Sequence, residues 1–152
     1  MRLVYDTYED RIKEDLEKQK EIIDINIADI ISTRTNPIRK CFETEINIKH
    51  TDKITPVEII KIIESKRQYP DMLEFDKQTC SNLKELEYLR KDMCCEYCYK
   101  SLVMHLFENE NVEAVTSNFK FYEPAFNVKF NIKYKEEYSE DELIEYIKKE
   151  FK

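Results

Sequence analysis

The chain has 152 residues, of which 41% are hydrophobic and 38% are charged, and its formal net charge is −7. This acidic balance lacks the basic face that a phosphate backbone requires, so nucleic acid is excluded as the expected partner. No apolar run approaches the roughly 18 residues that a membrane span needs, so a membrane association is not expected either. The composition is that of a globular chain with a packed core, whose partners are proteins or cations.

Glycine is absent from the sequence. Phosphate-binding loops and the nucleophile elbow of hydrolases use glycine for positive φ or for close backbone approach, so those classes lose their usual motifs. We therefore expect a protein that is not an enzyme. The first residues lack the apolar core of a signal peptide, and the cysteines are odd in number and clustered, which is not typical of a disulfide-stapled secreted fold. The expected compartment is the cytoplasm.

The first half of the chain predicts the order strand, helix, strand, strand, helix, strand. The predicted ranges are residues 2–5, 7–24, 27–33, 42–48, 56–66 and 72–75. The second helix has the most specific start signal, because Thr55 offers a cap, Pro56 suits the first helical position and Glu58 completes a capping box. Residues 76–84 form a polar stretch, and we interpret them as a linker between a first half, residues 1–75, and a second half, residues 85–152.

The second half repeats part of this pattern. A shift of 84 residues aligns 27–64 with 111–148 without a gap, with 7 identities in 38 positions, and both segments contain a capping box, the second from Ser139 to Glu142. The first strand of the second half has to come from residues 86–89. Two similar strand-turn-strand-helix units of one composition would also resemble each other without a true repeat.

The order of elements predicts an α+β fold with two tandem ferredoxin-like (βαββαβ) halves. The second half lacks its last strand, because the chain reaches Lys152 directly after the final helix. Its sheet would then have an uncovered edge, and we expect a protein partner or a second copy of the chain to cover it.

The motif that carries chemistry is a Cys-x-x-Cys pair, Cys95 and Cys98, placed where a helix begins. Such a pair puts two thiols at one helix end, close enough to hold one soft metal ion or to form one disulfide. The positive end of the helix favours the thiolate form. Soft thiolates select Cu(I) or Zn(II) over hard cations, and two ligands leave positions open for a partner.

The stretch Met93-Cys94-Cys95-Glu96-Tyr97-Cys98 resembles the Met-x-Cys-x-x-Cys loop of heavy-metal-associated domains, the ferredoxin-like modules of copper chaperones. The resemblance covers residues 86–151. It implies that Cys95 and Cys98 are the metal ligands, that Met93 is the buried support of the loop, and that Cu(I) is favoured over Zn(II). The usual glycines of the family are replaced by Asp92 and Asn111, and the last strand is missing.

The other candidate ligands are weaker, and two alternatives to metal binding stay open. Cys94 is either a small packed side chain or a third thiol, Cys80 would be needed for a four-cysteine site, Cys41 is expected to be structural, and His105 lies too far along the helix to share the metal. The alternatives are a reversible Cys95–Cys98 disulfide and a protein-interaction module whose metal site is vestigial.

Overall fold

A computed structural model describes residues 1–6, 11–32, 34, 42–65, 67–91, 93, 95–121 and 127–149. Within these residues the chain forms seven strands and four helices. The strands are β1 (Arg2–Asp6), β2 (Ile22–Asp29), β3 (Glu43–His50), β4 (Met72–Asp76), β5 (Leu83–Arg90), β6 (Val112–Ser117) and β7 (Val128–Lys135). The helices are α1 (Arg11–Glu17), α2 (Pro56–Glu64), α3 (Glu96–Phe107) and α4 (Glu140–Lys149). The predicted α+β class is confirmed.

All seven strands belong to one antiparallel sheet with the order β2-β3-β1-β4-β6-β7-β5. The first half contributes β2, β3, β1 and β4, and the second half contributes β6, β7 and β5. The two sets meet where β4 pairs with β6 through Phe75 opposite Val115 and Asp76 opposite Ala114. We call this junction the seam, and it is a short ladder that needs further contacts to hold it.

One apolar residue from each strand lies in a single row across the whole sheet. Neighbours in this row are directly opposite each other, so their side chains share one face. The row is Ile27, Ile46, Leu3, Phe75, Val115, Ile132 and Leu86. Helix α3 packs on this face, where the ring of Phe107 meets that of Phe75 at 4.8 Å in an edge-on arrangement. The core is therefore continuous across the seam.

The adjacent row has the opposite character. Because successive residues of a strand point to opposite faces, it lies on the other side of the sheet. This row is Asn26, Asn47, Arg2, Asp76, Ala114, Lys133 and Glu85. In these two rows the period-two pattern of the sequence holds across both halves, with one apolar and one largely polar row.

The predicted first helix is too long. It was expected to reach Asp24, but α1 ends at Glu17 and β2 already begins at Ile22. The residues from Ile23 to Ile27 alternate apolar and polar, and pairing with β3 places Ile25 opposite Ile48 in the core while Ile23 stays exposed. The strand predicted for 27–33 likewise ends at Asp29, and Ile31 is 94% exposed. This segment fits both a helical spacing and a period-two strand pattern. It forms a strand because β3 lies beside it as a pairing partner.

The second helices of the two halves agree closely with the sequence. Thr55 caps α2, where its side chain accepts a hydrogen bond from the Glu58 N–H at 3.1 Å, and Ser139 accepts one from the Glu142 N–H at 3.1 Å at the start of α4. A shift of 84 residues places α2 on the first nine residues of α4. The start of the predicted first helix, residues 7–10, lies outside the described residues.

The stretch interpreted as a linker is bonded to the second half. Lys77 donates its backbone N–H to the Glu113 carbonyl at 2.8 Å and its ammonium to the Asn109 carbonyl at 3.0 Å. Thr79 donates to the Glu113 carboxylate through both its backbone N–H and its hydroxyl. Between them, Gln78 has a positive φ of 58°. The division of the chain at 76–84 stays a prediction.

Candidate metal-binding site

The thiol pair is positioned by the start of α3. Cys95 is the N-cap residue, with an extended backbone, and Cys98 lies in the first turn. The first hydrogen bond of the helix runs from the Tyr99 N–H to the Cys95 carbonyl at 3.2 Å. Among the described residues, the Cys95 side chain makes no capping hydrogen bond at this end of the helix.

The two sulfurs converge. Their Sγ atoms are 3.7 Å apart, with Cys95 exposed and Cys98 half-buried. A disulfide would require about 2.05 Å, so the two sulfurs are not bonded to each other in this structure. A zinc ion bound about 2.3 Å from each sulfur at a tetrahedral angle would set the sulfurs about 3.8 Å apart. The spacing therefore fits two thiolates that share one ion.

The residue expected to support the loop is buried. Met93 is 1% exposed and belongs to the hydrophobic core. Met93 precedes the thiol pair in sequence and Tyr99 follows it, and both belong to the core. The role of Met93 in shaping the loop stays a prediction. Cys94, the candidate third thiol, and Asp92 lie outside the described residues, as does Cys41.

Three residues of α3 near the thiols contact one segment of the first half, residues 69–73. Tyr97, Tyr99 and Lys100 reach Tyr69, Leu73 and Asp71, in that order. Two of these α3 residues, Tyr99 and Lys100, are almost completely buried, with exposed fractions of 0% and 2%. The thiol end of α3 is thus packed on the first half.

Burial and hydrogen bonding set the ionisation of the two buried residues. Burial raises the pKa of Tyr99 well above its usual range, so the phenol stays protonated and acts as a donor. Burial disfavours the Lys100 ammonium, but hydrogen bonds from it to Asp6 and Asp71, both 3.0 Å, outweigh this and raise the pKa of Lys100. The lysine is therefore a fixed cation.

Other candidate ligands do not join the pair. The ring of His105 stacks on that of Tyr146 at 3.9 Å, and its Nε2 lies 2.8 Å from the Tyr146 carbonyl, which is a packing role between α3 and α4. Cys80 lies in the connection before β5, where its Sγ is 3.8 Å from the Asn82 carbonyl. Across the described part of the chain, no group of three or more His, Cys, Asp or Glu side chains is arranged to hold a metal ion.

Lys100, Asp6 and Asp71 were not anticipated from the sequence. A signal for Lys100 does exist, since it shares a helix face with Val103 and Phe107, which are both fully buried. A lysine inside an apolar stripe needs an internal partner for its charge. The sequence does not indicate which acidic residues, among 32, supply it.

A surface depression of about 460 Å³ adjoins the thiol end of α3 and is lined by Tyr69, Pro70, Tyr97 and Ser101. A larger one, of about 750 Å³, has walls that include Met1, His50 and Pro56. None of the three described thiols lines the larger depression. It is not part of the candidate site.

No protein-family model, no curated protein and no solved structure matches this chain. Among the described helices, none combines the length and the apolar character that crossing a membrane requires. Function is therefore inferred from the thiol pair and its surroundings.

Proposed function

We propose that this chain is a non-enzymatic protein that binds a soft metal ion, Cu(I) or a similar ion, through Cys95 and Cys98. The observation that supports the proposal is the convergence of the two sulfurs to 3.7 Å at an accessible helix end. Thiolates are the donors that such ions prefer. Because the pair supplies two ligands, the remaining positions are open to an acceptor, which suits metal transfer or sensing.

The proposal includes a reducing compartment, the cytoplasm, because thiols must be reduced to bind metal. Met93 would hold the loop from the core side. Cu(I) is favoured over Zn(II), which usually takes four protein ligands in a structural site. Cys94 would add a third thiol if it reached the ion.

We further propose that the two halves are tandem ferredoxin-like units, the second without its last strand. The sheet order β2-β3-β1-β4 within the first half supports this assignment, since it is the order of a βαββαβ sheet with a split βαβ. In the second half, β6-β7-β5 supplies three of the four positions. The vacant fourth position lies beside β5.

The metal proposal is tested by titrating reduced protein with Cu(I), and separately with Zn(II), in competition with a chelator. The Cys95→Ser, Cys98→Ser double variant is expected to lose at least about a hundredfold in affinity, because the ion loses both thiolates. Cys80→Ser is the matched control and should bind as the parent does. A parent that binds no more tightly than the double variant would sink the proposal.

A second candidate function, a protein-interaction module, is favoured by the edge of the sheet at β5. In the described part of the chain β5 pairs with β7 alone, and Leu89 on it is 47% exposed. Such an edge can accept a strand from a second copy. Sedimentation at increasing concentration should then show a dimer that Leu89→Lys weakens. A monomer at every concentration argues against this self-pairing.

A further inference from the structure

We infer that segment 69–73 of the first half positions the thiol pair, acting through Tyr99 and Lys100 of α3. The inference rests on the proposed metal binding and assigns a task to a half that has no Cys-x-x-Cys motif of its own. Residues 69, 71 and 73 each contact a different residue of the first two turns of α3. These contacts fix the helix end from which both sulfurs project.

Tyr99 connects Cys95 to the first half by two hydrogen bonds. Its N–H donates to the Cys95 carbonyl at 3.2 Å, and its hydroxyl donates to the Leu73 carbonyl at 2.6 Å. The ring is held between two others, since it stacks on Phe119 at 4.1 Å and on Phe130 at 5.5 Å. A fully buried side chain with this many contacts leaves the Cys95 backbone little freedom.

Lys100 connects the helix to two acidic residues of the first half. Its ammonium donates to Asp6 and to Asp71, each at 3.0 Å, and its side chain is 3% exposed. Lys100 follows Cys98 by two residues, about 200° around the helix. The lysine is therefore buried on the side of the helix opposite to Cys98, which is half-buried. The ion pairs thus set the rotation of the helix about its axis.

Tyr97 supplies the contact on the outer side. Its ring lies 5.8 Å from that of Tyr69, and both rings are more than half exposed. Tyr97 lies between Cys95 and Cys98 in sequence, so its contact with Tyr69 restrains the segment that separates the two thiols. The three contacts join the first two turns of α3 to one segment of the first half, and the sulfur spacing follows from where that segment places the helix.

The two buried lysines at the seam allow a matched test. Lys100 is 2% exposed, and its ammonium contacts the first half at the thiol end of α3. Lys77 is 4% exposed, and its ammonium contacts the Asn109 carbonyl of the second half, just beyond the other end of α3. Both Lys100→Met and Lys77→Met remove a buried ammonium with its hydrogen bonds. Only the first is expected to disturb the thiol pair.

The experiment measures Cu(I) affinity by chelator competition and, without metal, the reduction potential of the Cys95–Cys98 disulfide formed by mild oxidation. Lys100→Met should lower the Cu(I) affinity about tenfold and shift the reduction potential of the disulfide. A tenfold change corresponds to a coupling free energy of ordinary size. Lys77→Met should leave both unchanged. Lys100→Arg, which keeps the charge between the two carboxylates, should restore most of the affinity.

If Lys100→Met does not fold, Asp71→Asn carries the same comparison, with a smaller loss of about threefold, because Asp6 still holds the ammonium. Parent-like affinity and potential in the Lys100 or Asp71 variants would overturn the inference, as would equal effects in Lys77→Met. Should the parent bind no metal, the proposed function fails. The disulfide potential then decides the positioning role by itself.

Discussion

The two halves differ most in their first helices. Helix α1 has 7 residues and packs on α2 and β2 of its own half, whereas α3 has 12 residues and packs on β4 of the first half as well as β6 of the second. The second helices, α2 and α4, have 9 and 10 residues and equivalent caps. The helix that carries the thiols is thus the one placed over the seam. Reactive side chains at a helix end are supported here by both halves.

The largest expected effect tests whether the halves form one folding unit. Phe75→Ala removes a ring that is 1% exposed, pairs with Val115 across the seam and contacts Phe107. We expect the free energy of unfolding to fall by about 3–5 kcal/mol, because a large cavity forms in a continuous core. Urea unfolding followed by circular dichroism measures it. Leu89→Ala, at an exposed position, should cost less than about 1 kcal/mol.

A pair of matched core variants sharpens the comparison. Leu3→Ala in β1 and Ile132→Ala in β7 each shorten a fully buried side chain in the apolar row. Each should lower the free energy of unfolding by about 2–5 kcal/mol. Hydrogen exchange should show weakened protection in β3 and in β7 for both variants. Loss of protection confined to the half that carries the substitution would show that the halves unfold separately.

Lys77, which lies at the seam, should make the free energy of unfolding depend on pH. Burial lowers the pKa of Lys77 from 10.5 to about 8 in the folded protein. The unfolded chain then binds more protons than the folded one between these values, so stability rises with pH in that window. Between pH 8 and pH 10 the contribution is about 2 kcal/mol. Lys77→Met should remove this rise, measured as the parent-minus-variant difference in urea unfolding. A difference that is flat with pH would contradict the assignment.

The smallest effect compares the two equivalent caps. Thr55→Ala and Ser139→Ala each remove one hydrogen bond of 3.1 Å to a backbone N–H at a helix start. Each should cost about 1 kcal/mol. Equal losses in thermal unfolding would show that the two caps do the same work in the two halves. An effect limited to one cap would show that the repeat is one of sequence pattern alone.

Local signals predicted much of the fold. The capping boxes at Thr55 and Ser139 place the starts of α2 and α4. Period-two alternation indicates β3, and a short apolar run indicates β1. The end of α1 was predicted wrongly, because Ile12, Leu16 and Ile23 fit a helical stripe until residues 22–29 are known to pair with β3. The seam could not be predicted, since a ladder of two residue pairs has no sequence signature.

For the candidate site as well, the local features could be predicted from the sequence and the tertiary contacts could not. The spacing of Cys95 and Cys98 at a helix start indicates their convergence. Their support depends on Leu73 and Asp71, which are distant in sequence, and on the packing of α3 across the seam. Contacts of this kind depend on tertiary structure, which a pattern along the chain does not carry.

The backbone conformation of Gln78 shows how the absence of glycine affects both the folded state and the conformational entropy of the unfolded chain. It adopts positive φ, 58°, between the two residues that anchor the connection to the second half, and this conformation costs an L-residue about 1–2 kcal/mol. Glycine would relieve that cost, but it would also widen the ensemble of unfolded conformations. Because the sequence contains no glycine, the backbone at the turn positions has fewer accessible conformations in the unfolded state. In the part of the chain that the structure describes, Gln78 is the non-glycine residue whose native conformation carries this cost.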